Sequence, residues 1–482
     1  MQKKWTIFFI MHAIDSELTK HVNVLINILE TMLWNVHECN VLYLKNAYSP
    51  RETGRKKRKI EAKLFQIVPA GGGNSFYSNE LKNYGQINIG SKINLTAIFS
   101  EIHQQFPSER IMLYTWDHGS GFGVWEADPI FDNTMKFNVL NELENFILNA
   151  TSEDHPVRFK VTNNDIANME NVVLLKKDRQ KEGRDLFSED FKNVGFFGKV
   201  DRYIELADVK EETDILTNDE LAESIKVGFK GQKVDLLIMV NCFMQMTETG
   251  FSFKDCVNYL VACETAFWAY GFDYASVFNK VIARPDSDSR DLAKLFIETI
   301  ENTYRRINKL QYLDDVVVSA CDLSYAKSLA DAVNDMVRII NTDTATYYPL
   351  IKKARKSSTE ISSLIFEKGE IPLPYPLFII DLLYFISLLA DRDHKMKQLL
   401  KKLFEEVINN KYIIARRVGN DFEMADINIE RINGFSIYFP KNKKDIDRDY
   451  YRYFYKHNAK FEIAFSKKTL WSQFIPVYLE FK

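Results

Sequence analysis

The chain has 482 residues, and its 63 basic and 66 acidic side chains give a formal net charge of −3. This length gives a prior of two or three domains, and the balanced charge argues against a nucleic-acid-binding protein, which typically carries a strongly basic domain. The 46% hydrophobic content supports a large core and excludes intrinsic disorder for most of the chain.

The cysteines and the apolar runs indicate the cellular compartment. The five cysteines are odd in number and none forms a C-x-x-C pair, so a disulfide framework is not expected and a reducing compartment fits best. The apolar run 5–11 follows Lys3 and Lys4, but His12 interrupts it and no A-x-A cleavage site follows. The run 377–390 is too short to span a bilayer, which needs roughly 20 apolar residues. We therefore expect a cytoplasmic protein without membrane association and without a nucleic-acid partner.

Strands and helices alternate over residues 1–305, apart from a polar stretch at about 127–231 that predicts an insertion. The predicted elements are strands at 5–11, 39–44, 63–68, 110–116, 234–240 and 259–263, and helices at 21–34, 93–106 (capped by Asn94) and from Thr217 or Asn218 to 227. The runs 110–116 and 234–240 are almost wholly apolar, which is typical of parallel strands buried on both faces. This pattern predicts an α/β fold in which helices cover a mostly parallel central sheet.

The regular alternation of predicted strands and helices ends after residue 305. Helices are predicted to about residue 411, among them a core helix at 377–390. Strand-like segments follow at 412–417, 434–439 and 459–465, and Trp471 lies in a last helix or strand. We predict a smaller α+β domain over 306–482.

Two chemically capable residues follow the two most apolar strands. His118 comes after the strand at 110–116, and Cys242 comes after the strand at 234–240. The carboxyl ends of parallel strands collect reactive groups in α/β sheets, and an imidazole can take the proton of a cysteine thiol. Gly119 permits close backbone approach, and its N–H and that of Cys242 are candidates for an oxyanion hole. Position alone leaves structural roles open, because a cysteine at a strand end is most often a small buried hydrophobe.

Several short segments, in matching order along the chain, resemble the clostripain family of cysteine peptidases (peptidase family C11), relatives of caspases and gingipains. They are the strand 3–11, D-H-G-S-G at 117–121, the strand ending N-C-F-M-Q at 241–245, V-A-C-E at 261–264, G-F-D-Y at 271–274, V-V-S-A-C-D-L at 317–323, G-F-S-I-Y-F-P at 434–440 and T-L-W at 469–471. The resemblance implies a caspase-like α/β/α sandwich and a cysteine endopeptidase that acts on protein or peptide substrates.

The resemblance also implies roles for individual residues. His118 and Cys242 are the expected catalytic dyad, which requires no cofactor, while Ca²⁺ stays open at the level of the family. An autoprocessing loop lies between the two residues in the family, so the charged run 176–184 is a candidate cleavage site, with an uncut solvated loop as the alternative. A peptidase must be held in check, so we expect a regulatory partner or a restrictive substrate pocket.

The sequence departs from the family pattern at the substrate pocket. Val240 replaces the usual Asp, whose carboxylate helps to shape the pocket for a basic P1 residue, and Asn241 replaces the usual Ala. Glu264 and Asp273 remain as candidate pocket carboxylates, with a strand-end salt bridge as the alternative role of Glu264. Trp268 stands where the family commonly has Pro, which would favour an apolar pocket wall. The P1 preference for Lys or Arg is therefore in question.

A second hypothesis is a caspase-like interaction or regulatory module that binds a partner without cleaving it. Val240 and Asn241 favour this hypothesis. The intact His118-Gly119 pair and Cys242 oppose it.

Overall fold

The computed structural model describes residues 2–13, 16–48, 60–70, 75–87, 89–117, 119, 121–124, 216–268, 270–306, 308, 310–314, 316–361, 378–408, 411–419, 432–443, 451–456, 459 and 462–480. His118, most of the predicted insertion and the charged run 176–184 lie outside the described residues. Of the insertion, the described part from residue 216 contains a short strand and a helix that buries Leu221, Ala222 and Ile225.

The described strands are β1 (Lys3–Ala13), β2 (Cys39–Tyr48), β3 (Ile60–Pro69), β4 (Phe76–Gly85), β5 (Ser108–Trp116), β6 (Gly123–Val124), β7 (Leu216–Thr217), β8 (Val234–Val240), β9 (Val257–Cys263), β10 (Val318–Asp322), β11 (Ile379–Asp381), β12 (Ile413–Arg417) and β13 (Ser436–Tyr438).

The described helices are α1 (Ser16–Thr31), α2 (Lys92–Gln105), α3 (Asn218–Gly228), α4 (Thr247–Phe253), α5 (Tyr274–Ala283), α6 (Ser289–Arg306), α7 (Ala326–Thr342), α8 (Thr344–Ser357), α9 (Leu382–Ala390), α10 (His394–Leu403), α11 (Ala464–Lys468) and α12 (Trp471–Glu480). Short 3-10 turns lie at Leu310–Leu313 and Leu323–Tyr325, and π-helical turns lie at Phe404–Ile408 and Tyr451–Tyr455.

The main sheet has the strand order β12-β10-β9-β8-β5-β1-β2-β3-β4. The five neighbouring strands from β9 to β2 run parallel, and the pairs at both edges are antiparallel. Parallel strands need covered faces, and side chains on β1 alternate between two cores. Phe8 and Ile10 face one core, and Ile7 and Phe9 face the other. Helices α1, α5 and α6 cover the second core, and the other long helices cover the first, so the predicted α/β/α fold is confirmed.

The strands β10 and β12 both come from the region predicted to form a second domain, yet both belong to the main sheet. The division of the chain at residue 305 stays a prediction. Among the described helices, none has the length and apolar character that a membrane span requires.

Local signals at helix starts were partly correct. Thr217 caps α3 and forms a reciprocal capping box with Glu220, as predicted. Asn94 does not cap α2, because that helix begins at Lys92 with Ser91 at the capping position. The predicted core helix at 377–390 is divided at Asp381, which ends β11 and accepts the backbone N–H of Tyr384 at the start of α9.

Two other predictions were incomplete or wrong. The sequence analysis missed β4, whose side chains are half-buried or exposed throughout, so it carries no apolar alternation. The predicted strand at 459–465 is wrong, since the chain there enters the helix α11 at Ala464.

Candidate active site

The candidate site lies where β5 and β8 end side by side. These strands are parallel neighbours, and their last paired residues are Trp116 and Val240. The next residues of each strand, Asp117 and Asn241, therefore leave the sheet at the same edge. Asp117 and Gly119, the sequence neighbours of His118, are both described, and both contact the segment that contains Cys242.

Gly119 packs directly against the backbone of the candidate nucleophile. A Cβ atom built on Gly119 would lie 2.6 Å from the carbonyl oxygen of Cys242, 2.8 Å from Cβ of Asn241 and 3.0 Å from Sδ of Met244. Any side chain would collide at these distances, so this turn approaches so closely only because residue 119 is glycine. Gly119 also forms a β-bridge with Val124, which holds the far side of the turn.

Cys242 is the one partly exposed residue among the five cysteines, all of which the structure describes as free. The backbone N–H of Phe267 donates a hydrogen bond to Sγ of Cys242 at 3.3 Å. Burial raises the pKa of the Cys242 thiol to about 11, and the hydrogen bond from Phe267 offsets only part of this effect. The thiol is therefore protonated near neutral pH unless a neighbouring base accepts its proton.

The loop after Cys242 is held on both sides by backbone hydrogen bonds. Phe243 has a φ of +60°, in the left-handed region that a bulky residue rarely adopts. The N–H of Phe243 donates to the carbonyl of Thr265 at 2.9 Å, and the N–H of Gln245 donates to Cys263 at 2.9 Å. The N–H of Ser436 donates to the carbonyl of Gln245 at 3.0 Å, so the loop lies between the end of β9 and the strand β13.

A buried carboxyl group lies behind this loop. Glu248 in α4 accepts the backbone N–H of Tyr438 at 2.8 Å and the hydroxyl of Tyr455. Burial raises the pKa of Glu248 to about 7, although both hydrogen bonds lower it. The protonation state of this carboxyl therefore changes between mildly acidic and mildly basic pH.

Asn241 connects the ends of β8 and β5 through its side chain. It is 1% exposed. Its Oδ1 accepts the hydroxyl of Thr115 at 2.7 Å, and its Nδ2 donates to the backbone carbonyl of Asp117 at 2.9 Å. The carboxylate of Asp117 contacts Nδ1 of His12, which lies at the end of β1, and both side chains are buried.

Sequence reasoning missed the roles of Thr115, Asp117 and His12 in this arrangement. A usable signal was present, because His12 and Asp117 are the first strongly polar residues after the apolar runs of β1 and β5. Three neighbouring parallel strands therefore each contribute a polar side chain to the same edge of the sheet.

Among the described residues, the side chains beside Cys242 on this face of the sheet are apolar. Val240 is 6% exposed and shares one core with Trp116, Met11 and Phe267. Trp268 follows the residue that contacts Cys242, and its half-buried ring stacks on Tyr312 with 4.5 Å between ring centroids.

The two predicted pocket carboxylates make contacts in the interior. Glu264 is fully buried and accepts the N–H of Gly434 at 2.6 Å. Burial and the nearby carboxyl of Asp381 raise the pKa of Glu264 well above its ordinary value, which favours its protonated form.

Asp273 caps the start of α5 and accepts hydrogen bonds from the side chains of Ser276, Asn302 and Arg306. Burial opposes its ionisation, but the hydrogen bonds outweigh it, so the pKa of Asp273 is lowered. The roles of Glu264 and Asp273 in substrate binding stay predictions.

The described residues contain no group of three or more His, Cys, Asp and Glu side chains that could hold a metal ion. The expectation about Ca²⁺ stays a prediction.

The sheet and the cysteine at its edge define a caspase-like α/β protein, and comparisons with known proteins give its family. The sequence pattern of the clostripain family (peptidase family C11) matches residues 200–478, more than half of the chain. The chain therefore belongs to the clostripain family of cysteine peptidases, and it is a cysteine-type endopeptidase with peptide or protein substrates. No curated protein matches the chain by sequence.

Solved structures share the fold across the whole chain. A secreted C11 cysteine protease from Bacteroides thetaiotaomicron, iotapain, is 15% identical, with a TM-score of 0.52 over 97% of this chain and 99% of that chain. An inactive zymogen of a C11 protease from Parabacteroides distasonis is 14% identical, with a TM-score of 0.52 over 97% of this chain and 98% of that chain. A secreted C11 cysteine protease from Bacteroides thetaiotaomicron in complex with an irreversible peptide inhibitor is 14% identical, with a TM-score of 0.51 over 93% of this chain and 96% of that chain.

Proposed function

We propose that this endopeptidase cleaves peptide bonds with Cys242 as nucleophile and His118 as its acid–base partner. The observation that carries this proposal is the packing of Gly119 on the carbonyl of Cys242. It brings Gly119, the residue after His118 in the sequence, against the segment that contains the only partly exposed cysteine. The side chain of His118 thus originates one residue from a direct contact with the nucleophile's backbone.

The proposed reaction has two stages. His118 accepts the thiol proton of Cys242, and the sulfur attacks the scissile carbonyl carbon. The N–H groups of Gly119 and Cys242 stabilise the negative charge that develops on the carbonyl oxygen. His118 then donates the proton to the leaving amine as the C–N bond breaks, which leaves an acyl-enzyme. Water, deprotonated by His118, attacks the acyl group and restores the thiol.

The raised pKa of Cys242 makes this proton acceptor necessary. A thiol with a pKa of about 11 carries only about one thiolate in ten thousand at pH 7. An adjacent base, or an adjacent imidazolium that stabilises the thiolate, is the usual means of activating such a group. We therefore expect the reactivity of Cys242 to depend strongly on His118.

We further propose an apolar P1 residue. The position that usually supplies the family's carboxylate is Val240, which is surrounded by Trp116 and Met11 on the same face of the sheet. The other candidate acids are engaged elsewhere, since Glu264 accepts the N–H of Gly434 in the interior and Asp273 is paired with Arg306. A lysine or arginine enclosed here would lack a partner, and burying an unpaired cation is unfavourable.

A peptide library with mass spectrometric readout tests both proposals, with and without Ca²⁺. Wild type is expected to cleave after apolar residues. Cys242→Ala should abolish cleavage, whereas Cys256→Ala should retain it, because Cys256 is buried at the opposite end of the sheet, just before β9. Cleavage by Cys242→Ala at the wild-type rate would refute the role of Cys242.

A pair of variants tests the pocket. Val240→Asp should increase cleavage after Lys and Arg by about tenfold or more, because it supplies a partner for the P1 cation. An asparagine side chain has almost the same shape as aspartate but carries no charge, so Val240→Asn should not produce this gain. A strong Lys or Arg preference in the wild type would refute the apolar pocket. If neither the wild type nor any variant cleaved a peptide, and if Cys242 were alkylated no faster than the buried thiols, a silent interaction module would become the better explanation.

A further inference from the structure

The buried side chain of Asn241 bridges two strand ends at the candidate site. The ladder between β5 and β8 ends at the pair Trp116 and Val240. Beyond it, Asn241 accepts the hydroxyl of Thr115 at 2.7 Å and donates to the carbonyl of Asp117 at 2.9 Å. The amide thus continues the connection between the strands by one more residue.

The two hydrogen bonds fix the orientation of the amide. A backbone carbonyl can only accept, so the group that faces Asp117 must be the NH₂ group. The hydroxyl of Thr115 donates to the oxygen on the other side. The arrangement is an ordered chain from Thr115 through Asn241 to Asp117.

This chain of bonds ends on the peptide that leads into His118. The carbonyl of Asp117 belongs to the peptide bond between residues 117 and 118, and a peptide unit is planar and rigid. A hydrogen bond to its oxygen therefore restrains the whole peptide unit that follows Asp117. The carboxylate of the same Asp117 is held by His12, so residue 117 is restrained at both its backbone and its side chain.

The residue on the other side of His118 also contacts Asn241. A Cβ atom built on Gly119 would come within 2.8 Å of Cβ of Asn241. Asn241 thus touches both neighbours of His118, and it is itself covalently bonded to Cys242.

From these contacts we propose that Asn241 is a positioning residue, which sets the place of the His118 turn relative to Cys242. The inference rests on the proposed dyad. Alanine, the residue expected at this position from the family pattern, could form neither hydrogen bond, so this chain carries a restraint that the usual residue does not supply. A displacement of about 1 Å between reacting groups can lower a catalytic rate about 100-fold.

Variants of the bridge test the inference in the full-length protein. Asn241→Ala should lower kcat about 10- to 100-fold and leave KM nearly unchanged, because proton transfer rather than substrate binding is disturbed. Thr115→Val removes only the hydrogen bond to Oδ1 of Asn241 and should lower kcat by a smaller factor. Thr115→Ser keeps the hydroxyl, so its kcat should be close to that of the wild type.

A matched control separates positioning from stability. Asn40 is 3% exposed and donates through Nδ2 to the hydroxyl of Thr6 on the neighbouring parallel strand β1. Thr6 precedes His12 by six residues along β1, which is about 20 Å. Asn40→Ala should therefore lower the melting temperature about as much as Asn241→Ala and leave kcat unchanged. The inference would be refuted if Asn241→Ala lost as much melting temperature as Asn40→Ala but kept the kcat of the wild type.

Alkylation of Cys242 by iodoacetamide at different pH values distinguishes this inference from the proposed dyad, and it does not require a known substrate. If wild-type Cys242 reacts faster at pH 7 than in His118→Ala, the dyad is supported, and Asn241→Ala should fall between the two. A wild-type rate in Asn241→Ala would then refute the positioning role alone. Equal rates in wild type and His118→Ala would refute the dyad, and the positioning inference with it.

Discussion

Gly119→Ala offers a direct test of the contact between the histidine turn and the nucleophile. The backbone of Gly119 has no left-handed φ, so alanine is compatible with its conformation and only the space around Cβ matters. The added atom would lie 2.6 Å from a backbone oxygen of Cys242 and 2.8 Å from Cβ of Asn241. Neither atom can rotate away, so the two segments must separate until each distance exceeds about 3 Å.

The size of the effect follows from this overlap. Overpacking of a well-packed interior costs about 1–3 kcal/mol, and relieving the overlap moves residue 119 away from Cys242 by several tenths of an ångström. Misplacement of about 1 Å lowers rates about 100-fold. We therefore expect kcat to fall roughly 10- to 100-fold, with a smaller change in KM. Steady-state kinetics on an apolar P1 substrate and thermal unfolding measure the two effects.

A second glycine provides a control of similar stability cost. Gly231 has a φ of +83° and no heavy atom within 4 Å of an added Cβ, so Gly231→Ala is strained by roughly 1–2 kcal/mol through its backbone alone. It precedes β8, whose opposite end leads to Cys242. Gly231→Ala should lower the melting temperature and keep kcat. Wild-type kcat in a folded Gly119→Ala variant would contradict the close contact.

Three further outcomes follow from individual side chains. Burial raises the pKa of Glu248 to about 7 in the folded state, whereas its value in the unfolded state is near 4.3. Because the folded state binds the proton more tightly, the free energy of unfolding of the wild type should fall as the pH rises from about 4.3 to about 7. Glu248→Gln should remove about 2–3 kcal/mol of this fall between pH 5 and pH 8, measured by urea titration. Asp273→Ala removes the cap of α5 and should cost about 1–2 kcal/mol without altering P1 preference, whereas an altered preference in a cleavage profile would support a pocket role. In His118→Ala, the alkylation rate of Cys242 should rise about tenfold per pH unit from pH 7 to 10, as expected for a thiol with a pKa of about 11. A plateau of the rate below pH 8 would show that a group other than His118 lowers the pKa of this thiol.

The central sheet could be predicted because burial on both faces leaves a strong trace in the sequence. The apolar runs at 110–116 and 234–240 correspond to β5 and β8, and their ends placed Cys242 at the correct edge. The edge strand β4 left no such trace, since its side chains are half-buried or exposed throughout. The segment 459–465 was predicted as a strand, but the backbone N–H of Ala464 donates to Asp219, which lies 245 positions away. A local pattern cannot contain that contact.

The candidate site shows the same limit at the level of single residues. Asn241 was noticed only as a departure from the family pattern, together with Val240. Its partners Thr115 and Asp117 lie 126 and 124 positions earlier in the chain. They become neighbours only through the register of β5 against β8, which the sequence of either strand does not specify. Motif positions therefore identified the candidate nucleophile, while the groups that orient its surroundings required the three-dimensional structure.

The hydrogen bonds between the loop after Cys242 and Ser436 have a consequence for the order in which the protein is made. Ser436 follows Gln245 by 191 positions. At about 5–20 residues per second, a ribosome needs roughly 10–40 s to synthesise that interval. During this time the cysteine has already been translated, but the strand that supports its loop does not yet exist. The nascent chain therefore carries the thiol before its candidate active site is complete, and the loop after Cys242 gains this support only after Ser436 has been translated.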